Sequence, residues 1–299
     1  MTDRTKISAL AKNVKFDEPM SAHTTFKIGG PADVFVDAEN ADEIKSVMRY
    51  CGENSVPLLI TGNGSNMLVG DRGIRGVVVS VGKKMSKIEV DGERITAEAG
   101  ALMSSVAAAA LKAELSGFET LSGIPGTVGG GIYMNAGAYG GEIKDVLETV
   151  TYIDRDGSVK TAKAEELDLS YRHSMFEEGG YVILSCVLKL KPGNADEIKA
   201  AMRDYSKRRS DKQPISMPSA GSTFKRPEGY FAGKLIQDSG LMGKSVGGAQ
   251  VSEKHAGFVV NTGGATAADV LELIRLVQDT VEEKFGVRLE PEVRLIGEQ

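Results

Sequence analysis

The sequence predicts an α+β fold, and three observations carry that prediction. Strand-like and helix-like stretches are mixed along the chain without the regular alternation of a doubly wound sheet. Two hairpins, across Asp91-Gly92 and Asp156-Gly157, indicate antiparallel pairing, because Asp-Gly accepts the positive φ of a two-residue turn. Glycine makes up 36 of 299 residues and crowds into residues 123–142. Such density is entropically costly to order, and it points to tight turns or to close approach of bare backbone.

Taken in order, residues 34–79 read as a βαβ-like unit. Residues 34–36 form a short strand, and a helix follows over about 42–52, with Ile44, Val47, Met48 and Cys51 on one face. Asn40, with Glu43 three residues on, forms its N-cap pair. Residues 57–60 make a buried strand that runs into Thr61-Gly62-Asn63-Gly64-Ser65-Asn66, and residues 76–81 make another. A hairpin over 87–90 and 94–98 precedes a small-residue helix from about 103 to 114, which leads into the glycine-rich stretch. Beyond it come a second hairpin, 147–154 with 158–162, and a long apolar strand, 181–190.

Pro192-Gly193-Asn194 marks a boundary between residues 1–194, in subdomains of about 1–80 and 81–194, and residues 195–299. The helix expected over 196–208 opens with Asn-Ala-Asp-Glu-Ile-Lys, the same six residues as 40–45. The flanks do not match, so this is shared capping chemistry and not a duplicated domain. Near the end, a strand at Val259-Val260 precedes Thr266, which caps an amphipathic helix carrying Val270, Leu271, Ile274, Val277, Val281 and Phe285. A last strand is expected over 287–296.

Composition excludes several classes. A net charge of −5 and a single basic run, Lys207-Arg208-Arg209 at a helix end, argue against nucleic acid. No window reaches the roughly 18 apolar residues of a membrane span. Residues 1–6 lack a signal-peptide core, and Cys51 and Cys186 sit among apolar neighbours, so a cytoplasmic protein is expected. His23, His173 and His255 stand alone, so no metal site is expected, and no obligate protein partner is evident.

Four stretches carry candidate chemistry. The loop 61–66 follows a buried strand and exposes N–H groups and hydroxyls, as a diphosphate cradle does. Met67 stands where a dinucleotide fingerprint would place a third glycine, and no Gly-Lys-Ser/Thr closes a P-loop. The stretch 123–142 is too apolar for a linker, with Ile124, Pro125, Val128, Ile132 and Met134, and reads as a smooth wall against a flat ligand. Paired with the loop 61–66, it points to a dinucleotide with an extended flat ring. In Ser170-Tyr171-Arg172-His173-Ser174, Arg172 can clamp a carboxylate or stabilise developing charge. Near Gly221, small residues expose Ser222 beside Lys225 and Arg226, where a serine can act as proton donor if cations stabilise its alkoxide. Glu292 follows Pro291 close to Arg294, where a strand-edge ion pair is the plainer alternative.

Together these stretches resemble the UDP-N-acetylenolpyruvoylglucosamine reductase (MurB) family. The matching motifs are His23-Thr-Thr-Phe-Lys-Ile-Gly-Gly-Pro-Ala-Asp33, Gly62-Asn-Gly-Ser-Asn66, residues 123–142, Tyr171-Arg-His-Ser174, Gly221-Ser-Thr-Phe-Lys-Arg-Pro227 and Glu290-Pro-Glu-Val-Arg294, in family order over nearly the whole chain. The resemblance implies an FAD-binding region of the PCMH/vanillyl-alcohol-oxidase type, made of two subdomains, and a C-terminal substrate domain. It implies non-covalent FAD reduced by NADPH, and hydride transfer to the enolpyruvyl group of a UDP-sugar in peptidoglycan synthesis. Cofactor contacts would come from Thr61, Gly62, Asn63, Gly64, Ser65 and Asn66, and from Gly123, Ile124, Pro125, Gly126, Thr127, Gly129, Gly130, Asn135 and Ala136. Arg172 would stabilise the enolate, Ser222 would protonate the α-carbon, and Glu292, protonated or sharing a proton, would assist polarisation of the substrate carboxylate. Lys212, Lys225, Arg226 and His255 fall at substrate-contacting positions.

Some members have asparagine in place of Arg226, and some carry a tyrosine-bearing insertion that closes over the nucleotide. Only Glu177-Glu-Gly-Gly180 lies between Phe176 and the long strand, which resembles the shorter, type II branch. Two rivals stay open at this point. An oxidase of the same flavin fold often tethers the cofactor through a histidine in the first phosphate loop, and 61–66 has none. A non-catalytic nucleotide-sugar module would use the glycine stretch for packing alone.

Overall fold

The computed structural model describes residues 3–299. The chain forms two compact units that interleave in sequence. The first takes residues up to Lys15, Val34–Asn63 and Gly76–Arg208; the second takes Phe16–Asp33, Gly64–Arg75 and Arg209–Gln299. Compactness therefore does not divide at residue 194. The reason lies in the apolar side chains of the early segments: Phe26, Ile28 and Leu68 pack into one buried cluster with Val270, Leu273, Ile274, Val277 and Val281.

In the first unit, helix α1 (Arg4–Leu10) is followed by α2 (Ala41–Glu53). Asn40 Oδ1 caps α2 by accepting the N–H groups of Asp42 and Glu43, both at 3.0 Å, as its sequence indicates. Glu43 reaches back one residue further than a standard capping box, to the Glu39 N–H at 2.9 Å. The strand Leu58–Thr61 pairs in parallel with Ile74–Ser80, in register from Leu58 with Val77 to Thr61 with Ser80. A five-stranded antiparallel sheet runs Val159–Lys163, Leu147–Ile153, Val182–Lys189, Arg94–Glu98 and Ile88–Asp91. Its central strand is the long apolar one, with both faces largely buried as its composition requires. Helices α3 (Met103–Lys112) and α4 (Val128–Tyr133) follow the edge hairpin. Cys51 and Cys186 are buried free thiols; burial pushes Cys51 up to about 11 and Cys186 up to about 12, so neither supplies a thiolate.

Helix α4 departs from the smooth wall expected of the glycine stretch. Thr127 caps it, its Oγ1 accepting the Gly130 N–H at 3.3 Å, while Val128 and Ile132, one turn apart, are fully buried. Burying that pair outweighs the helix penalty of three consecutive glycines. Helix α5 (Ala195–Lys212) begins at Asn194, whose Oδ1 accepts the Asp196 and Glu197 N–H groups. The repeated hexapeptide is thus a repeated cap.

The second unit packs α6 (Ala232–Asp238) and α7 (Ala267–Phe285) with a small antiparallel sheet of Ser245–Val246, Ala249–Val251 and Val259–Asn261. The final strand is shorter than expected: only Arg294–Ile296 is strand, paired in parallel with Met67–Val69. Pro291 has no N–H to continue a ladder, and residues 290–292 pair instead with 223–225 through the Phe224–Pro291 bridge. The segment 64–75 is tied to α7 by Asp71, whose two carboxylate oxygens accept the N–H groups of Ala267 and Ala268 at 2.8 and 3.0 Å. Among the described residues no helix is long and apolar enough to cross a membrane. Replacing Asp71 with alanine should lower the stability of this unit by about 1–2 kcal/mol, since Thr266 caps a different N–H. A urea midpoint equal to wild type would show that the Asp71 contact contributes nothing.

Candidate active site

In the first unit the turn after Leu58–Thr61 meets the glycine stretch. A Cβ on Gly62 would stand 2.4 Å from Thr127 Oγ1, so only glycine fits. Asn63 Nδ2 donates to the Pro125 carbonyl at 3.1 Å, joining the same two segments. Residues 126–129 are anchored from behind: Val128 N–H donates to Ala101 O, Gly129 N–H to Ala99 O, and Gly126 O accepts the Met103 N–H. Four backbone N–H groups here, on Gly62, Asn63, Gly126 and Thr127, donate to no acceptor among the described residues. Gly126 and Thr127 are buried. Buried backbone donors are almost always paired, so unpaired N–H groups beside a glycine-only approach fit an anionic ligand such as a diphosphate. Gly130 is exposed, and a Cβ there would meet only Thr127 Oγ1 at 3.5 Å. Gly123 and Pro125 are also exposed, Ile124 donates its N–H to Leu121 O, and Ala136 bridges Gly131 O and the Ile143 N–H.

The rest of the loop 61–66 lies in the second unit. Gly64 has φ +60, and a Cβ there would stand 2.1 Å from His23 O. The N–H groups of Gly64 and Ser65 likewise donate to no acceptor among the described residues. Asn66 Nδ2 donates to Glu292 O at 3.1 Å, and Asn66 O accepts the Arg294 N–H at 3.0 Å.

Arg172 occupies a two-residue turn in the first unit. Ser170 and His173 exchange both backbone hydrogen bonds at 3.2 Å, leaving Tyr171 and Arg172 at the tip. Arg172 has φ +55, a left-handed conformation that costs a non-glycine residue roughly 1–2 kcal/mol and persists where the surroundings impose it. Its Nη2 donates to Gly137 O at 3.3 Å, and the guanidinium lies 5.0 Å from the Tyr171 ring centroid. His173 is gripped by Glu177 at 2.7 Å and Asp168 at 3.0 Å, and these carboxylates, Glu177 first, raise its pKa. Asn135, expected at the cofactor, is fully buried with its amide engaged by Glu142, Ser170 and Lys144.

Ser222 and Glu292 are brought together in the second unit through Thr223. The Thr223 carbonyl accepts the Glu292 N–H at 2.8 Å, its N–H donates to Gly257 O, and its Oγ1 accepts the Val259 N–H at 2.9 Å. Ser222 is exposed and Glu292 half-buried. Lys225 pairs with Glu290, and the Arg226 guanidinium lies 4.0 Å from the Phe231 ring centroid. His255 accepts the Gly257 N–H on Nδ1, and burial, with a smaller effect of the Lys212 charge, lowers its pKa, so it is neutral at pH 7. Thr223 was not singled out in the sequence. Its place between two candidate residues is local, but its partners lie about 35 and 70 residues away, beyond any spacing rule. Among the described residues no group of three or more His, Cys, Asp or Glu could hold a metal ion.

Comparison with known proteins places these features. The sequence model of the FAD binding domain matches residues 32–163, and that of the UDP-N-acetylenolpyruvoylglucosamine reductase C-terminal domain matches residues 213–296. The UDP-N-acetylenolpyruvoylglucosamine reductase of Agathobacter rectalis is 56% identical over 94% of this chain and 93% of its own length. That of Alkaliphilus oremlandii is 53% identical over 96% and 94%. The crystal structure of the enzyme from Thermus caldophilus superposes with a TM-score of 0.82 at 35% identity, covering 95% of this chain and 98% of that one.

Thr223→Val should lower stability by about 1–3 kcal/mol, because the buried Val259 N–H loses its acceptor. An unchanged denaturation midpoint would remove Thr223 as the pin between Ser222 and Glu292. The raised pKa of His173 has a signed consequence. Its ion pairs stabilise the fold fully below the ordinary histidine pKa, and that contribution is lost as pH rises through the folded value. The stability difference between wild type and His173→Gln should therefore shrink from pH about 5.5 to pH about 9. A constant difference across that range would show that folding leaves the His173 pKa unchanged.

Proposed function

The chain belongs to the UDP-N-acetylenolpyruvoylglucosamine reductase family, and from that premise we propose that it reduces UDP-N-acetyl-3-O-(1-carboxyvinyl)-glucosamine to UDP-N-acetylmuramate in peptidoglycan synthesis. It is an FAD-dependent oxidoreductase that uses NADPH, and it acts in the cytoplasm. The observation that carries the cofactor reading is the meeting of Gly62 with Thr127, where a side chain is excluded and backbone donors are left for an anion. FAD, when bound, supplies the hydride chemistry that links NADPH to the enolpyruvyl double bond.

Gly62, Asn63, Gly126 and Thr127 would hold the diphosphate through their N–H groups. Exposed Gly123 and Gly130 leave bare backbone for the flat ring. In the reduction, the β-carbon of the enolpyruvyl group gains a hydride, the α-carbon gains a proton, and NADPH becomes NADP+. Charge develops on the carboxylate side as an enolate. Arg172 stabilises it, and its left-handed turn supports that role because strain of this kind is kept where a side chain must be aimed. Ser222 protonates the α-carbon; its exposure leaves the hydroxyl accessible, and Thr223 holds its backbone. Glu292 polarises the substrate carboxylate. Lys212, Lys225, Arg226 and His255 contact the substrate, with His255 neutral and therefore a hydrogen-bonding group and not a charge.

The purified protein should show a flavin absorbance spectrum, release free FAD on denaturation, and oxidise NADPH faster when the enolpyruvyl UDP-sugar is present. A colourless protein that cannot be reconstituted with FAD would overturn the reading. Ser222→Ala should leave flavin reduction by NADPH unchanged and slow flavin reoxidation by the substrate roughly 10²–10⁴-fold, the range of a positioned general acid. Rapid mixing separates the two half-reactions; reoxidation at the wild-type rate would assign the proton to another group.

A further inference from the structure

We propose that Asn135 and Glu142 are positioning residues that set the Arg172 turn for the reduction step. The proposal rests on the reading of Arg172 as the catalytic arginine.

Asn135 is 0% exposed, and both polar atoms of its amide are hydrogen-bonded inside the first unit. Nδ2 donates to Ser170 O at 2.8 Å and to Glu142 Oε2 at 3.0 Å, while Oδ1 accepts the Lys144 N–H at 3.1 Å. Ser170 is the residue that closes the turn against His173. Arg172 Nη2 donates to Gly137 O, and Gly137 is the register partner of Glu142 in the short hairpin of Gly137–Ala138 with Gly141–Glu142. One loop thus grips the turn twice, at its base through Asn135 and at the guanidinium through Gly137.

A buried amide with no spare donor is a poor contact for a cofactor but a strong constraint on its partners. The partner it constrains carries the left-handed Arg172, a conformation that survives only where it is over-determined. Glu142 completes the grip. Lys144 pairs with it at 2.8 Å and, ahead of the Asn135 amide and Arg172, holds its carboxyl below the usual carboxylate range against partial burial. It is therefore ionised at neutral pH, and it keeps the Asn135 amide oriented.

The test uses flavin-loaded enzyme and the variant Asn135→Gly, because glycine keeps the φ of +40 without strain while deleting the amide. Flavin content from absorbance and reduction by NADPH should match wild type. Reoxidation by the enolpyruvyl UDP-sugar should fall roughly 10–100-fold, as expected for a misaimed group. In an Arg172→Ala background the same substitution should have no further effect, because the residue acts through Arg172. Equal losses in both backgrounds, no loss in either, or loss of flavin would overturn the proposal, the last returning Asn135 to the cofactor site. Normal reoxidation by Arg172→Ala alone would instead overturn the catalytic reading of Arg172 and, through it, this proposal. Should Asn135→Gly not fold, Glu142→Ala on the partly exposed loop carries the same cycle. It should slow reoxidation about 3–10-fold and be silent without Arg172. A loss that persists in the Arg172→Ala background would overturn the proposal by that route.

Discussion

The backbone of Gly62 and the side chain of Thr127 approach so closely that any Cβ between them is excluded, and much of the first unit is arranged around that approach. Thr127 starts helix α4 through its hydroxyl, bridges to Leu102, and faces Gly62 with the same side chain. Because it is buried and bonded behind through residues 99–103, it cannot recede. The unpaired N–H groups on either side are the counterpart of that rigidity. Backbone donors are left without protein partners only where a ligand can repay their desolvation, and an anion does so best.

The second unit has a different logic. Its core is built on α7, whose buried face, Val270, Leu273, Ile274, Val277 and Val281, is longer than the C-terminal segment alone can cover. Phe26, Ile28 and Leu68 complete it, and Asp71 fixes the segment 64–75 to the start of α7. A consequence follows for chemistry. Asn66 meets Glu292, and Thr223 joins Ser222 to Glu292, so residues far apart in sequence share one rigid frame. Rigid backbone pairing of this kind fixes donor and acceptor positions more tightly than flexible side chains could.

Local chemistry was legible from the residues themselves. The Asn caps at 40 and 194, the Thr266 cap, the two Asp-Gly hairpins and the apolar central strand all form where their side chains dictate. So was the glycine-rich stretch as a place of close approach. The family membership implied by the sequence motifs stands on the comparisons.

Tertiary structure decided what spacing rules cannot reach. That residues 16–33 and 64–75 fold with the C-terminal part depends on which apolar faces need covering, a property of the packed whole. Whether the segment 128–133 would be bare wall or helix depended on the burial of Val128 and Ile132 against groups distant in sequence. The last strand was cut to Arg294–Ile296 because residues 290–292 found partners at 223–225. Asn135, a small polar residue in a glycine-rich run, carried no sign of the turn it holds, for its partner Ser170 lies 35 residues away. Caps, turns and periodicities are set by interactions within a few residues, which the order of amino acids specifies directly. Partners across long loops are chosen by competition for buried surface and hydrogen bonds, and only the folded chain resolves that competition.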